Sequence, residues 1–162
     1  MASDDHTPWL DEPQQRAWRG LVLGTTLLFD RLDADLRREF GISMTEYELM
    51  VRLSEYPDHQ MRMSRLADSV AHSRSRVTHT IARMQRAGLV DRFLATDDGR
   101  GIYAALTEKG YDTLTQAAHL HVRGVRQHLV DVGTPEDFMI LGRYMNAVAD
   151  RLIGGHPDME IR

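Results

Sequence analysis

Residues 69–90 read SVAHSRSRVTHTIARMQRAGLV. The stretch holds four arginines (Arg74, Arg76, Arg83, Arg86) and two histidines but no Asp or Glu, although the 162-residue chain has a formal charge of −4. Ser73 is placed to cap a helix, and Val77, Ile81 and Met84 fall on one helical face at i, i+4 and i+7. Gly88 stands where a helix ends in a left-handed residue, with Leu89 as the hydrophobic contact that follows. With about 100° per residue measured from Val77, Ser75, His79 and Arg86 lie almost opposite, and Arg76 and Arg83 flank them. That outward face offers donors sized for phosphates and base edges, with no carboxylate to repel them.

The helix start points the same way. Arg74 and Arg76 occupy a first turn where cations oppose the helix dipole, at about 0.3–1 kcal/mol each when exposed. The unpaired N–H groups of that turn can bind an anion. A terminus disfavoured in isolation becomes favourable against a phosphate backbone. For this helix taken alone, an ordinary solvated basic face is the competing reading.

Downstream, VDRFLAT (90–96) and IYAALT (102–107) read as two strands, and DDGRG (97–101) joins them with the Asp-Gly signal of a hairpin. Its tip sets Arg100 beside glycines that let backbone approach a groove closely. Asp98, two residues earlier, is placed to brace the Arg100 side chain. As an isolated turn, the same pair is a surface ion pair worth little.

Upstream, no proline interrupts the chain between Pro13 and Gly41. Trp18, Leu21, Val22, Thr25, Leu28, Phe29, Leu32, Leu36 and Phe40 keep helical spacing there, predicting one long helix whose apolar stripe needs a partner surface. Thr45 and Glu48 have the T-x-x-E spacing of a capping box, with Met44 and Leu49 as its hydrophobic staple, so a second helix is expected to start at Thr45 and end near Tyr56. HQMRM (59–63) alternates weakly as a short strand, and Ser64 can cap a short third helix through Leu66 and Val70. Beyond the hairpin, Thr107 opens a helix that Gly133 ends. Thr134, with Pro135 and Asp137, caps a last one.

Charge is distributed unevenly. Residues 1–60 carry 6 basic and 12 acidic residues, net −6; residues 61–101 carry 8 and 4, net +4; residues 102–162 carry 6 and 8, net −2. A basic middle between acidic flanks implies a local anionic partner. The absence of cysteine excludes disulfides, thiol redox sensing and thiolate metal sites. His119 and His121 lie about 200° apart on a helix and cannot share an ion, and His121 and His128 are two turns apart. No metal or other cofactor is expected. The apolar run from Leu21 to Phe29 is broken by Gly24, Thr25 and Thr26, and the acidic N-terminus lacks a signal-peptide pattern, so a cytoplasmic protein is expected. No G-x-S-x-G, P-loop or H-E-x-x-H motif is present, and His72 beside Ser73 makes no triad. An enzyme is therefore the weaker class.

The run from Arg62 to Gly110 resembles the winged helix-turn-helix core of the MarR family of bacterial transcription regulators. The resemblance rests on Leu66-Ala67, the S-R-S-R-V-T opening at Ser73, GLV-x-R at Gly88–Arg92, the D-x-R wing at Asp98 and Arg100, and LT-x-x-G at Leu106–Gly110. It implies a mainly α fold with a small β-hairpin, a winged helix-turn-helix core (42–107) flanked by dimerisation helices (13–40 and 108–153). An acidic arm (1–12) and a short tail (154–162) complete the chain.

The DNA-binding set implied is Ser64, Ser73, Arg74, Ser75, Arg76, Thr78, His79, Arg83, Arg86, Asp98, Gly99 and Arg100. A homodimer would read a pseudo-palindromic operator in double-stranded DNA, with half-sites about one helical turn apart, and would act most simply as a repressor. The wing departs from the family in lacking a second Arg. A small aromatic or anionic effector would enter a crevice that Trp18, Phe29 and Tyr47 could line, with core packing as their alternative role. One urate-responsive branch pairs a first-helix Trp with an Arg late in the recognition helix, where this chain has Thr80. A nonspecific architectural DNA-binder without effector is the remaining alternative.

Overall fold

The computed structural model describes residues 7–70, 72–94 and 101–153. Six helices and three strands follow in the order α1 (Glu12–Phe40), α2 (Met44–Ser54), β1 (Gln60–Arg62), α3 (Met63–Asp68), α4 (Arg74–Arg86), β2 (Val90–Leu94), β3 (Ile102–Leu106), α5 (Glu108–His128) and α6 (Pro135–Ile153), with 3-10 turns at Pro57–His59 and Val130–Val132. The strands form an antiparallel sheet in the order β1-β3-β2. Met61 faces Ala104 across one ladder and Arg92 faces Ala104 across the other. The weakly alternating HQMRM segment thus supplies a real third strand.

Helix α1 starts at Glu12, one residue before Pro13, with Asp11 as its N-cap. Asp11 accepts from the Gln14 amide at 2.8 Å and Gln14 returns a bond to the Asp11 N–H at 3.0 Å, so a reciprocal cap fixes the first turn. Gly41, at φ +68°, ends the helix in a conformation that costs glycine nothing. Of the 29 residues between, spanning roughly 43 Å, only Leu32, Asp35 and Leu36 are buried.

Two expected helix starts move. Helix α2 is capped by Ser43 and Glu46 rather than by Thr45 and Glu48. Ser43 is extended at φ −81°, ψ 162°, and accepts from the Glu46 amide, while the Glu46 carboxylate accepts from the Ser43 N–H. An N-cap must be extended, and only the residue just after the Gly41–Ile42 turn is; Thr45 is already helical. Helix α3 begins at Met63 directly off β1, with Arg62 at the cap and no side-chain cap, so Ser64 is an exposed first-turn residue instead of its cap.

The other starts fall as expected. Ser73 caps α4, Thr107 caps α5, and the Thr134 hydroxyl and Asp137 exchange hydrogen bonds ahead of α6. Helix α5 ends at His128, short of Gly133, and the 3-10 turn fills the gap.

The core gathers Leu36, Leu49, Met50, Leu53, Leu66, Val70, Val77, Ile81, Met84, Val90 and Ala104, with Leu114 and Ala117 from α5. Val77, Ile81 and Met84 are completely buried, each contributing about 1.5–3 kcal/mol. The end of α4 is locked by backbone chemistry. Gly88 (φ +73°) donates to the Gln85 carbonyl and Leu89 donates to that of Met84. Thr107 then binds the same turn twice, its N–H to the Leu89 carbonyl at 3.1 Å and its hydroxyl to that of Gly88 at 2.7 Å. Lys109 reaches the Ala87 carbonyl at 2.8 Å. The L-T-x-x-G motif is therefore the joint between α4 and α5, and its glycine is required by space: a Cβ on Gly110 would lie 2.0 Å from the Leu89 carbonyl oxygen.

Helix α5 also packs on α1 and α2. His121 is set against Tyr47 with ring centroids 4.6 Å apart, and its buried Nδ1 has no hydrogen-bond partner among the described residues. Burial pushes the imidazole below its ordinary value, because the charged ring would lose its hydration.

Two outcomes follow from this packing. Gly110→Ala should destabilise the chain by roughly 3 kcal/mol, since backbone lies on both sides of the clash; an unchanged urea midpoint would show that α5 can lift off the α4 joint. The unfolded chain takes up a proton at His121 more readily than the native one, so this group's stabilisation is present above about pH 6.5 and fades on acidification below it. His121→Phe should flatten that part of the stability–pH curve, and denaturation at several pH values between 7.5 and 5 would read the change.

Candidate nucleic-acid interface

Helix α4 separates its faces sharply. Val77, Thr80, Ile81 and Met84 are buried, while Ser73, Arg74, Ser75, Arg76, Thr78, His79, Arg83 and Arg86 are exposed. Thr80 belongs to the inner face. The Ser73 hydroxyl accepts from the Arg76 amide at 3.3 Å, and no acidic residue stands in the first turn. The Thr78 hydroxyl donates to the Arg74 carbonyl at 2.9 Å, which leaves its lone pairs outward.

The arginines differ in how they are held. Arg74 meets Asp68 of α3 at 3.2 Å in an exposed pair. Arg76 reaches the Thr45 hydroxyl at 3.4 Å, and Arg86 leans on the Ala82 carbonyl of its own helix, also at 3.4 Å. Arg83 departs from the expectation of a free outward donor. Its Nε binds the Glu46 carboxylate at 2.8 Å, and that carboxylate's side chain is only 7% exposed. Helical spacing placed Arg83 on the flank of the outer face but could not show that α2 carries a buried acid there.

Thr45 and Glu48, the pair read as the α2 cap, both serve the helix-turn-helix. Thr45 touches Arg76, and Glu48 lies 3.3 Å from His72 in the turn before α4. Arg92 was not among the candidates, yet it ties β2 to α4 through the Gln85 side chain at 2.8 Å. At the wing's stem, Phe93 and Tyr103 stack with centroids 5.8 Å apart, and Arg62 donates to the Tyr103 hydroxyl at 3.2 Å. The candidate wing residues Asp98, Gly99 and Arg100 lie outside the described residues.

Trp18, Phe29 and Tyr47 do not converge within one chain. Tyr47 is core, 7% exposed under His121, whereas Trp18 and Phe29 are 57% and 53% exposed along α1. A cleft of about 420 Å³ does open between α1 and α5, lined by Arg31, Asp35, Arg38, Gln116, Arg123 and His128 among others, and none of the three aromatics borders it. Asp35 receives Arg31 and Arg38 at 2.8 Å each, and its carboxyl is held below the usual range mainly by the Arg31 hydrogen bond.

The terminal helices are left bare in the single chain. Helix α6 has no buried residue, and Met139, Ile140, Tyr144 and Leu152 are exposed on it, as are Val22, Leu23 and Leu27 on α1. No helix among the described residues is long and apolar enough to cross a membrane.

Known proteins share this arrangement. The MarR family profile matches residues 42–102. AbsC, a MarR family transcriptional regulator from Streptomyces coelicolor, superposes with a TM-score of 0.86 at 41% identity, over 91% of this chain and 99% of that one. Sco3205, a MarR family transcriptional regulator from the same organism crystallised in complex with DNA, superposes with a TM-score of 0.88 at 37% identity over 98% of both chains. The transcriptional repressor MprA of Escherichia coli is 26% identical over 76 residues, a match spanning 47% of this chain and 43% of MprA. With over a third of its residues shared along nearly its whole length with two such regulators, the chain belongs to the MarR family and is a transcription regulator rather than an enzyme.

Proposed function

We propose that the chain represses transcription as a homodimer that binds a pseudo-palindromic operator and leaves it when a small aromatic or anionic effector binds. The observation that carries DNA binding is the exposed outer face of α4, which presents Ser73, Ser75, Arg76, Thr78 and His79 with no carboxylate among them. Hydroxyls, imidazole and guanidinium at these positions suit base edges in a major groove, while Arg74 and the free first-turn amides suit phosphate. Residues 42–107 act as the DNA-binding unit in this reading, and Arg100, braced by Asp98, extends it into the minor groove.

Dimerisation is supported by the apolar side chains left exposed on α1 and α6, which a second copy would cover through 13–40 and 108–153. Repression is favoured by the likeness to MprA. An effector is favoured by the cleft between α1 and α5, where Arg123 stands with Arg31 and Arg38, the latter two paired with Asp35, and suits a carboxylate or phenolate.

Selection of bound sequences from random duplexes would define the operator, and competition against scrambled DNA at fixed salt would then test specificity. Equal affinity for both would leave only a nonspecific architectural binder. Arg76→Ala and His79→Ala should each weaken operator binding by about 1–3 kcal/mol while leaving the melting curve in place; unaltered affinity would mean that another face of α4 meets DNA. Leu27→Glu combined with Ile140→Glu should give a folded monomer in sedimentation experiments, because both positions are solvent-exposed in the single chain. A dimeric mass for that variant would move the interface elsewhere.

A further inference from the structure

The α2 start is held from two directions. Within the cap, one Glu46 oxygen accepts from the Ser43 N–H at 2.7 Å and from the Ser43 hydroxyl at 2.9 Å. Its other oxygen accepts from Arg83 Nε at 2.8 Å, and the Arg83 Nη2 stands 3.4 Å from the Ser43 hydroxyl. One residue along, the Met44 N–H donates to Asp33 of α1 at 2.7 Å, and the other Asp33 oxygen accepts from Arg37. A single turn of backbone, residues 43–46, therefore anchors α1 on one side and α4 on the other.

What α4 needs from such an anchor follows from its other contacts. Val77, Ile81 and Met84 give it apolar burial, which is nondirectional and tolerates small rotations about the helix axis. Reading base edges tolerates far less, about 0.5 Å and 10–20°. A guanidinium gripping a mostly buried carboxylate supplies direction, since its donors form a rigid planar fork. The same pairing offsets the arginine's charge, which weakens any attraction of Arg83 for phosphate.

We infer that Arg83 is a positioning residue: its pair with Glu46 sets the rotation of α4 about its own axis, and with it the register in which Ser75, Arg76 and His79 meet the operator. This inference rests on the reading of α4 as the DNA-contacting helix. Burial pushes the Glu46 carboxyl up, but the Arg83 and Ser43 hydrogen bonds outweigh it and hold it below its ordinary value, as expected of a permanently charged anchor.

The test compares full-length wild type with Arg83→Gln, Glu46→Gln and the double variant, titrated against operator and scrambled duplex over a range of salt. Positioning predicts that Arg83→Gln loses about tenfold in operator affinity with scrambled-DNA affinity and salt slope unchanged. Glu46→Gln should lose a similar amount, although removing a negative charge would by itself strengthen DNA binding. The double variant should lose no more than either single one, because both remove the same pair.

If Arg83 instead touches phosphate, Arg83→Gln weakens both duplexes, its salt slope falls by about one, and Glu46→Gln binds as well as or better than wild type. That pattern overturns the inference and leaves the regulator reading standing. Wild type that cannot tell the two duplexes apart overturns both. Should Glu46→Gln fail to fold, Arg83→Gln and Arg83→Lys decide through the salt slope, since Arg83 is exposed and its replacement opens no core; Arg83→Lys keeps the charge and should restore binding only if phosphate contact is its role.

Discussion

A helix that reads DNA can be held only from behind and from its ends, because every restraint placed on its outer face competes with the ligand. With α4 as the proposed reading helix, that constraint organises the structure. Behind α4, three completely buried apolar side chains carry the packing. At its far end, Gly88 turns the chain left-handed, and the Thr107 amide and hydroxyl and Lys109 fasten that turn to the start of α5. On its flank, Glu46 takes one arginine out of the outward set and uses it as a tether. What remains in front is a face of small hydroxyls, one imidazole and arginines with exposed or weak partners.

Much of this was legible because it is local. A capping Ser at 73, a left-handed Gly88 and the Thr107 and Thr134 caps each depend on a few neighbouring residues, and each signal carries its own geometry. The α2 start was misread for a physical reason. Two Ser/Thr-x-x-Glu registers overlap at 43–48, and what separates them is where the chain leaves Gly41, which spacing alone does not encode. Ser64 likewise has the right chemistry for a cap, but the preceding strand delivers the backbone already helical at Met63. Tertiary pairings were the least visible. Arg83 and Glu46 are 37 residues apart, so a helical wheel could place the arginine on a flank without naming its partner.

The aromatic residues show the same limit from the other side. Tyr47, Trp18 and Phe29 share composition but not environment: one is core against His121, and two stand on a helix that the single chain cannot cover. A 29-residue helix with three buried positions gains too little from its own chain to justify so apolar a stripe. Its stability in isolation would have to come from i,i+4 ion pairs such as Arg31–Asp35, which contribute only about 0.3–0.5 kcal/mol each. The proposed second copy over α1 and α6 would resolve that imbalance with the same residues that lack partners in the single chain.

Arg74 and Arg76 oppose the helix dipole, yet the free chain is not left with that repulsion unrelieved: Asp68 stands 3.2 Å from Arg74, and Thr45 offers its hydroxyl to Arg76. Both contacts are exposed, and an exposed pair is worth about 0–1 kcal/mol. They relieve the cations in solution without binding them firmly. A phosphate brought to the α4 N-terminus can therefore displace Asp68 at little cost and gains the free amides of the first turn as well. In the proposed reading, the exposed Asp68 is thus a partner that a DNA phosphate would replace at the start of α4.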